Sequence, residues 1–272
     1  MKNSYGHDYT SHDWLTLHFE VKSNERLIEI SELPIFKGDR VLDVGCGPGI
    51  FGSYISLLIG NKGHIHCIDH DEKNIIQAQE RLSSTKMTNW SVNRDDLMSA
   101  IELCKIYDVV ILFNVLSYVS NPAKFLKDLS SNMRRGARII VKDFDMLSIK
   151  FNCIDDLKLS SLINASLLCS RDSLSLSCDA FFGRSVPFIY RQHNYACHNE
   201  KILTHFISHP FSKSDELYIF ETVNILLKQP HSSIDFATKE YFNSAFNLNN
   251  GWFYEKDEAF MIENEFVSIL TI

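Results

Sequence analysis

A short apolar strand that runs straight into three closely spaced glycines leaves this chain few folds to choose from. The segment is Val41-Leu42-Asp43-Val44-Gly45-Cys46-Gly47-Pro48-Gly49. Glycines at a strand end let the backbone turn sharply and let a ligand come close to it. The next hundred residues fit such a turn. Phe51 to Ile59 reads as a helix, His64 to Ile68 as a second strand, and Asp71 caps a helix to about Leu82. Trp90 to Asn93 is a third strand and Asp96 to Cys104 a further helix. Tyr107 to Phe113 is apolar on both faces, as a central parallel strand should be. Asn121-Pro122 starts a helix with an N-cap and a proline at the first position, and Ala137 to Val141 is a fifth strand. Strict alternation of this kind predicts a parallel sheet with right-handed crossovers, a doubly wound α/β core.

The flanks are less regular. Trp14 to Val21 fits either a strand or a helix, and Ser23-Asn24 offers a cap for a helix through Leu33, closed by Pro34. After Asp145 the alternation stops, and residues 146–200 carry amphipathic stretches without a βα unit. Strands are expected near Lys201–Ser208 and Glu258–Ile272, with a helix from about Ser214 to Leu227 between them. The expected organisation is an N-terminal helical cover (1–35), the α/β core (36–145), a helical insertion after strand five that covers a substrate (146–200), and a C-terminal completion of the sheet (201–272).

Composition narrows the function. The 272 residues carry a formal charge of −7, and no dense run of Lys and Arg forms the basic stripe that a duplex demands. No nucleic-acid partner is expected. The cysteine count is odd, seven, and no C-x-x-C pair occurs, which argues against a disulfide framework and a structural zinc site. Met1 to Thr10 is polar, and the longest clean apolar run, Val109 to Phe113, is far too short to span a bilayer. A cytoplasmic protein with no membrane partner is expected; a homo-oligomer is compatible with all of this.

Charge chooses the ligand of the glycine loop. Gly47-x-Gly49-x-x-Gly52 also matches the dinucleotide pattern, so an NAD(P)-dependent oxidoreductase is the competing reading. A pyrophosphate site needs bare N–H groups and a helix N-terminus. Asp43 would repel the anion, and Pro48 removes one donor. A ligand carrying ammonium and sulfonium charges reverses the sign. Asp69 follows the second strand, where a carboxylate can accept ribose hydroxyls, and Asp95 and Asp96 follow the third, where one can meet an adenine amino group.

With these residues in place, the chain resembles the class I S-adenosylmethionine-dependent methyltransferases of small-molecule type. Val41 to Gly49 is similar to their first motif, Ile68-Asp69 to the ribose motif, and Arg94-Asp95-Asp96-Leu97 to the adenine-side motif. Tyr107-Asp108-Val109-Val110 with Phe113-Asn114-Val115-Leu116 is similar to the fourth-strand motif, and Arg134-Arg135-Gly136-Ala137 to the loop into strand five. The resemblance covers residues 40–143. It implies a Rossmann-like sheet of seven strands and S-adenosylmethionine as cofactor. It also implies a site built from Asp43, Gly45, Cys46, Gly47, Gly49, Asp69, His70, Asp95, Asp96, Leu97 and Asn114, with Asn114 near the methyl group and Cys46 as a wall residue.

The methyl acceptor is less legible. Base-methylating relatives carry an Asp/Asn-Pro-Pro-Tyr/Phe element after strand four, where this chain has Asn114-Val115-Leu116-Ser117. Asn114 and Asp143 fit a metal site only in part, because Phe144 stands where a ligand is wanted, so no metal is expected. A small organic acceptor is the expectation, with secondary metabolism as one setting. Candidate bases are His18, His193 and His198, and His18 and His193 are preferred. Tyr9, Trp14, Tyr118 and Phe182 are expected to line the acceptor pocket. A cyclase or a non-catalytic S-adenosylmethionine-binding protein would keep the same cofactor motifs.

Overall fold

The computed structural model describes residues 12–172, 179–191, 197–228 and 234–272. In chain order the elements are α1 (His12–Glu20), α2 (Ser23–Glu32), β1 (Arg40–Val44), α3 (Ile50–Ile59), β2 (His64–Asp69), α4 (Glu72–Ser84), β3 (Trp90–Arg94), α5 (Ala100–Leu103), β4 (Val109–Phe113), α6 (Pro122–Asn132), β5 (Arg138–Phe144), β6 (Lys150–Phe151), α7 (Asp156–Asp172), α8 (Val186–Arg191), β7 (Cys197–Ser208), α9 (Lys213–Leu227), α10 (Phe236–Ala245) and β8 (Phe260–Thr271). Contacts divide them into two units. One holds residues 22–144, 182–203 and 265–272; the other holds 1–21, 145–181 and 204–264.

The first unit is the doubly wound core. Strands β3-β2-β1-β4-β5 are parallel, and residues 265–271 of β8 lie antiparallel against β5. Both faces are covered, which is why β4 is buried at all five positions. On one face Leu42, Val110, Leu112, Ile139 and Val141 pack under Phe125, Leu126 and Leu129 of α6 and Val186 and Ile189 of α8. On the other, Val41, Ile65, Ile111 and Ile140 pack under Ile30 of α2, Ile55 and Ile59 of α3, and Ile75, Ala78 and Leu82 of α4. Helix starts follow sequence chemistry. Asp71 accepts from the N–H of Lys73 at 2.8 Å and Asn121 from that of Lys124 at 3.0 Å.

Part of the core under α2 is ionic. Lys22, Arg26 and Glu29 lie three or four residues apart and so share one helical face. Arg26 Nη2 is 2.6 Å from Glu265 Oε1, and Lys142 Nζ is 3.0 Å from Glu265 Oε2 and 3.5 Å from Glu29 Oε2. The Lys142 ammonium also sits 4.5 Å from the ring centre of Phe51 and 5.0 Å from that of Phe113. All five charged side chains are buried.

In the other unit α1 packs on α9, and α7 on α9. Residues 261–262 of β8 pair with the short β6. Ser212 and Asp215 form a reciprocal capping box at the start of α9.

The α/β class and the five core strands are as the sequence predicts. The sheet has eight strands rather than seven, because Lys150–Phe151 adds a two-residue pair against β8. The expected helix over residues 96–104 breaks into 3₁₀ turns on either side of the four-residue α5. Trp14–Glu20 resolves as helix within α1, α7 and α8 fall in the stretch read as a helical insertion, and α10 forms where no element is predicted.

Candidate functional site: a carboxylate-lined glycine loop

The loop after β1 turns back over the end of β2. Gly45 and Cys46 both donate their N–H groups to the carbonyl of Ile68, at 2.8 and 3.0 Å, and Gly49 donates to the carbonyl of Cys46 at 3.1 Å. Gly47 donates to Asp69 Oδ2 at 2.9 Å. Pro48 has no N–H. From Gly45 to Gly49, therefore, every backbone donor already has an acceptor in the protein.

Three of the glycines have left-handed backbone, with φ of +69° at Gly45, +54° at Gly47 and +71° at Gly49. Two are also needed for space. A Cβ at Gly45 would lie 2.8 Å from Val115 Cγ2, and one at Gly49 would lie 2.7 Å from the Cβ of Ala78. The loop is thus clamped between the β4 exit and α4.

Carboxylates surround this loop. Asp43 is 3% exposed and faces Cys67, whose Sγ lies 3.9 Å from its Oδ2. Burial, then the charge of Asp69, push its pKa up to about 7, against a smaller opposing effect of the Cys67 thiol. Asp69 is buried as well. Its Oδ1 accepts from the N–H of Asp71 at 2.9 Å and from Asn74 Nδ2 at 3.3 Å. Asp69 therefore holds the loop. His70 is largely exposed, with Nδ1 3.4 Å from Asp69 Oδ1.

Beyond β3, Asp95 donates its N–H to the carbonyl of Asp69 at 3.0 Å, and its Oδ1 accepts from the N–H of Asp96 at 2.9 Å. Asp96 is exposed and caps the 97–99 turn, accepting from Ser99 N–H at 3.0 Å. Leu97 packs against the core. At the end of β4, Asn114 adopts left-handed backbone, φ +57°, and its Oδ1 is buried without a hydrogen-bond partner. Cys46 is buried, with Sγ 3.4 Å from the carbonyl of Gly47.

The cofactor residues read from sequence thus gather in one unit at the carboxyl ends of β1 to β4, where doubly wound sheets hold ligands. The acceptor-side residues are scattered. Tyr118 is half-buried on the 116–118 turn. Phe182 is buried in the core beside Val186 and Ile189. Trp14 and His18 lie in the other unit, stacked on each other at 5.7 Å, with Trp14 5.5 Å from Tyr218. The Tyr218 hydroxyl donates to the buried Glu263 carboxylate at 2.8 Å. Tyr9 and His193 lie outside the described residues.

Sequence reasoning missed Asn74 and Cys67, the supports of the two central carboxylates, and passed over Ser117. It weighed Asp143 only as a metal ligand. A Lys-Asp pair inside the otherwise apolar run Ile139 to Phe144 is the signal that could have drawn attention to it. Among the described residues no group of three or more His, Cys, Asp and Glu side chains could hold a metal ion. No described helix is long and apolar enough to cross a membrane.

Comparison with known proteins agrees with this geometry. Residues 35–221 match the family model of a methyltransferase domain. A stretch of 54 residues is 48% identical to an enzyme described as a "probable cobalt-precorrin-6B C(15)-methyltransferase (decarboxylating)" from Saccharolobus solfataricus, covering 20% of this chain and 27% of that protein. Another of 105 residues is 30% identical to a protein-L-isoaspartate O-methyltransferase from Thermosipho melanesiensis, covering 39% and 52%. The chain thus spans about half or less of these relatives. The crystal structure of a cyclopropane-fatty-acyl-phospholipid synthase-like protein from Lactobacillus casei superimposes with a TM-score of 0.60, covering 96% of this chain and 94% of that one at 16% identity. At that identity the likeness is one of fold.

Proposed function

The chain belongs to the methyltransferase-domain family, whose cofactor is S-adenosylmethionine, and from that premise we propose that it is a methyltransferase acting on a small organic molecule in the cytoplasm. One observation supports the cofactor above all. The 45–49 loop has no N–H group left for a phosphate, while Asp43, Asp69 and Asp95 converge beside it. Such a surface repels a pyrophosphate and attracts a cation. Asn114 Oδ1, buried at the end of β4 without a hydrogen-bond partner, supports the same reading because it can accept from a bound ligand.

In this reading Asp43 and the carbonyls of the glycine loop bind the charged amino-acid end, Asp69 takes the ribose hydroxyls, and Asp95 with Leu97 frames the adenine. Asn114 stands beside the transferred group. The bound cofactor supplies an electrophilic methyl group. The protein's work is then positioning and exclusion of water, and positioning alone can lower a barrier by roughly 7–11 kcal/mol. A base is required only where the acceptor must lose a proton, with His18 and His193 as our candidates. We assign the segment before β1 and the 146–200 insertion to covering the acceptor, with Tyr9, Trp14, Tyr118 and Phe182 among its contacts. The overall charge of −7 supports an acceptor other than a nucleic acid.

S-adenosylhomocysteine at a hundred times its dissociation constant should stabilise the protein by about 2.7 kcal/mol. NAD⁺ should give no thermal shift; a shift with NAD⁺ alone would overturn the reading. Turnover should also survive EDTA, and a loss restored by Mg²⁺ would defeat the metal-free mechanism.

Asp43 adds a pH signature. Its pKa is raised, so the stability linked to it is fully present below its ordinary value of 3.8 and is lost as pH rises through about 7. A ligand ammonium group beside it reverses the preference by favouring the ionised carboxylate. With a free-protein pKa of about 7, S-adenosylhomocysteine should bind about tenfold more tightly at pH 8 than at pH 6. Calorimetric titration of the wild type and of Asp43→Asn checks this. The variant should bind weakly with a flat profile, and an equally steep profile would remove Asp43 from the account.

A further inference from the structure

On the face of the sheet opposite Asp43, three polar side chains come together at the ends of β4 and β5 without completing their hydrogen bonds. Asp143 is entirely buried, and neither of its carboxyl oxygens has a partner. Ser117 is 6% exposed and its Oγ has none. Asn114 Oδ1 is the third. Buried groups left this way are costly and rare in folded proteins, so three on one edge require an explanation. The cofactor reading uses Asn114 and leaves Asp143 and Ser117 unused.

We propose that Asp143 is a positioning residue for the methyl-transfer site, the latch that sets the 114–118 segment and with it Asn114. The inference rests on the proposed function for what Asn114 does, but its geometry stands alone. The Ser117 hydroxyl and the N–H groups of Leu116 and Ser117 lie in front of the Asp143 carboxyl, although none closes a bond of full geometry. Asn114 is tied to the same strand one residue earlier, its N–H donating to the carbonyl of Lys142 at 2.6 Å. Its left-handed backbone is a conformation that a non-glycine residue keeps only when its surroundings hold it there. The far side of the strand end is closed by the 183–185 turn. A Cβ at Gly183 would lie 2.7 Å from the carbonyl oxygen of Asp143 and 2.6 Å from that of Phe144.

The latch works in one protonation state. A neutral carboxylic acid can accept from the N–H groups of residues 116 and 117 and donate its own O–H to a waiting oxygen. An ionised carboxylate can accept from those N–H groups and from the Ser117 hydroxyl but has no proton to give to a waiting oxygen. The site favours the neutral form. Burial pushes the pKa of Asp143 up to about 8, and the negative charge of Glu265 on β8 adds to the rise. Ser117 and the two N–H groups oppose it without cancelling it. On the two turns packed against β5 here, the other titratable side chains are Tyr118, beside Ser117, and Arg184, beside Gly183. Asp143 therefore holds its proton at neutral pH and releases it under mildly alkaline conditions. The stability it provides is present below its ordinary value of 3.8 and is lost as pH rises through about 8.

Amide hydrogen exchange of Leu116 and Ser117 in the full chain without cofactor tests the latch, and it reads the segment whether or not the protein methylates anything. After correction for the intrinsic rise of exchange with pH, the wild type should lose at least tenfold protection between pH 7 and pH 9. Asp143→Asn, neutral and of the same shape, should keep its protection across that range. Asp143→Ala should lack protection throughout, and S-adenosylhomocysteine should bind it at least tenfold more weakly than it binds Asp143→Asn. Should the alanine variant fail to fold, the asparagine variant decides alone, since a step that persists in it overturns the proposal. Equal exchange in wild type and Asp143→Ala overturns it too. Failure of the wild type to bind S-adenosylhomocysteine would instead sink the functional reading and leave the exchange result standing.

Discussion

Asp69→Ala is expected to weaken S-adenosylhomocysteine binding about a hundredfold, the largest binding effect of any single substitution in the site. Two losses combine. The ribose would lose two hydrogen bonds to a carboxylate, each worth roughly 1.5 kcal/mol or more. A total near 3 kcal/mol corresponds to about a hundredfold in affinity. The loop would also lose its anchor, because Asp69 accepts from the N–H of Gly47 at 2.9 Å and from that of Asp71 at the same distance. The Gly47 N–H would then be free, in a loop that otherwise offers none. Asp69→Asn should fall between the two, since the amide oxygen can still accept but carries no charge. Calorimetry of the three proteins checks the order. A change of threefold or less in the alanine variant would mean that the carboxylate supports the loop without meeting the ligand.

Gly49→Ala is expected to cost about 2–5 kcal/mol of folding stability, measured by urea unfolding of the cofactor-free protein. Left-handed backbone at a residue with a Cβ costs about 1–2 kcal/mol. The rest comes from overpacking, typically about 1–3 kcal/mol. The new methyl would stand 2.7 Å from the Cβ and 2.8 Å from the Cα of Ala78, inside contact distance of a helix backbone that cannot rotate away. Gly136 provides the control. It too has a positive φ, +84°, but a Cβ there would meet nothing within 4 Å. Gly136→Ala should therefore show only the backbone part of the cost. Equal losses in the two variants would refute the claim that α4 and the glycine loop are packed to contact at Gly49.

The core was legible because its signals are local. β1 falls on Arg40–Val44 as predicted, and Asp71 and Asn121 cap the helices assigned to them. Each depends on residues adjacent in sequence, as do the glycines of the loop. The carboxylates proposed for the cofactor could be picked out for a related reason, since each lies at or just past the end of a strand that an apolar run marks. What sequence could not show is what meets across the sheet. Asp143 and Ser117 are 26 positions apart, and Lys142 and Glu265 are separated by 123. Neither pair leaves a mark in any window of periodic residues. Nor does any sequence window show that the Phe182 ring is buried among the aliphatic side chains of the core. The strand β6 was lost because two residues carry too little periodicity to read.

The buried ionic cluster sets a timetable for folding. Its central carboxylate, Glu265, belongs to the antiparallel strand beside β5, and it bonds Arg26 across 239 positions and Lys142 across 123. During synthesis, therefore, the five parallel strands and α2 emerge long before the anion that lies between those two cations. Until then Lys142, beside Phe51 and Phe113, has only the Glu29 carboxylate, 3.5 Å away, as a paired anion. Closing this edge is therefore a non-local step, and non-local pairing of this kind slows folding and lengthens the interval in which strand edges stay unpaired. The same ion pairs that specify where β8 docks thus leave the edge of β5 open in a nascent chain until residue 265 has been made.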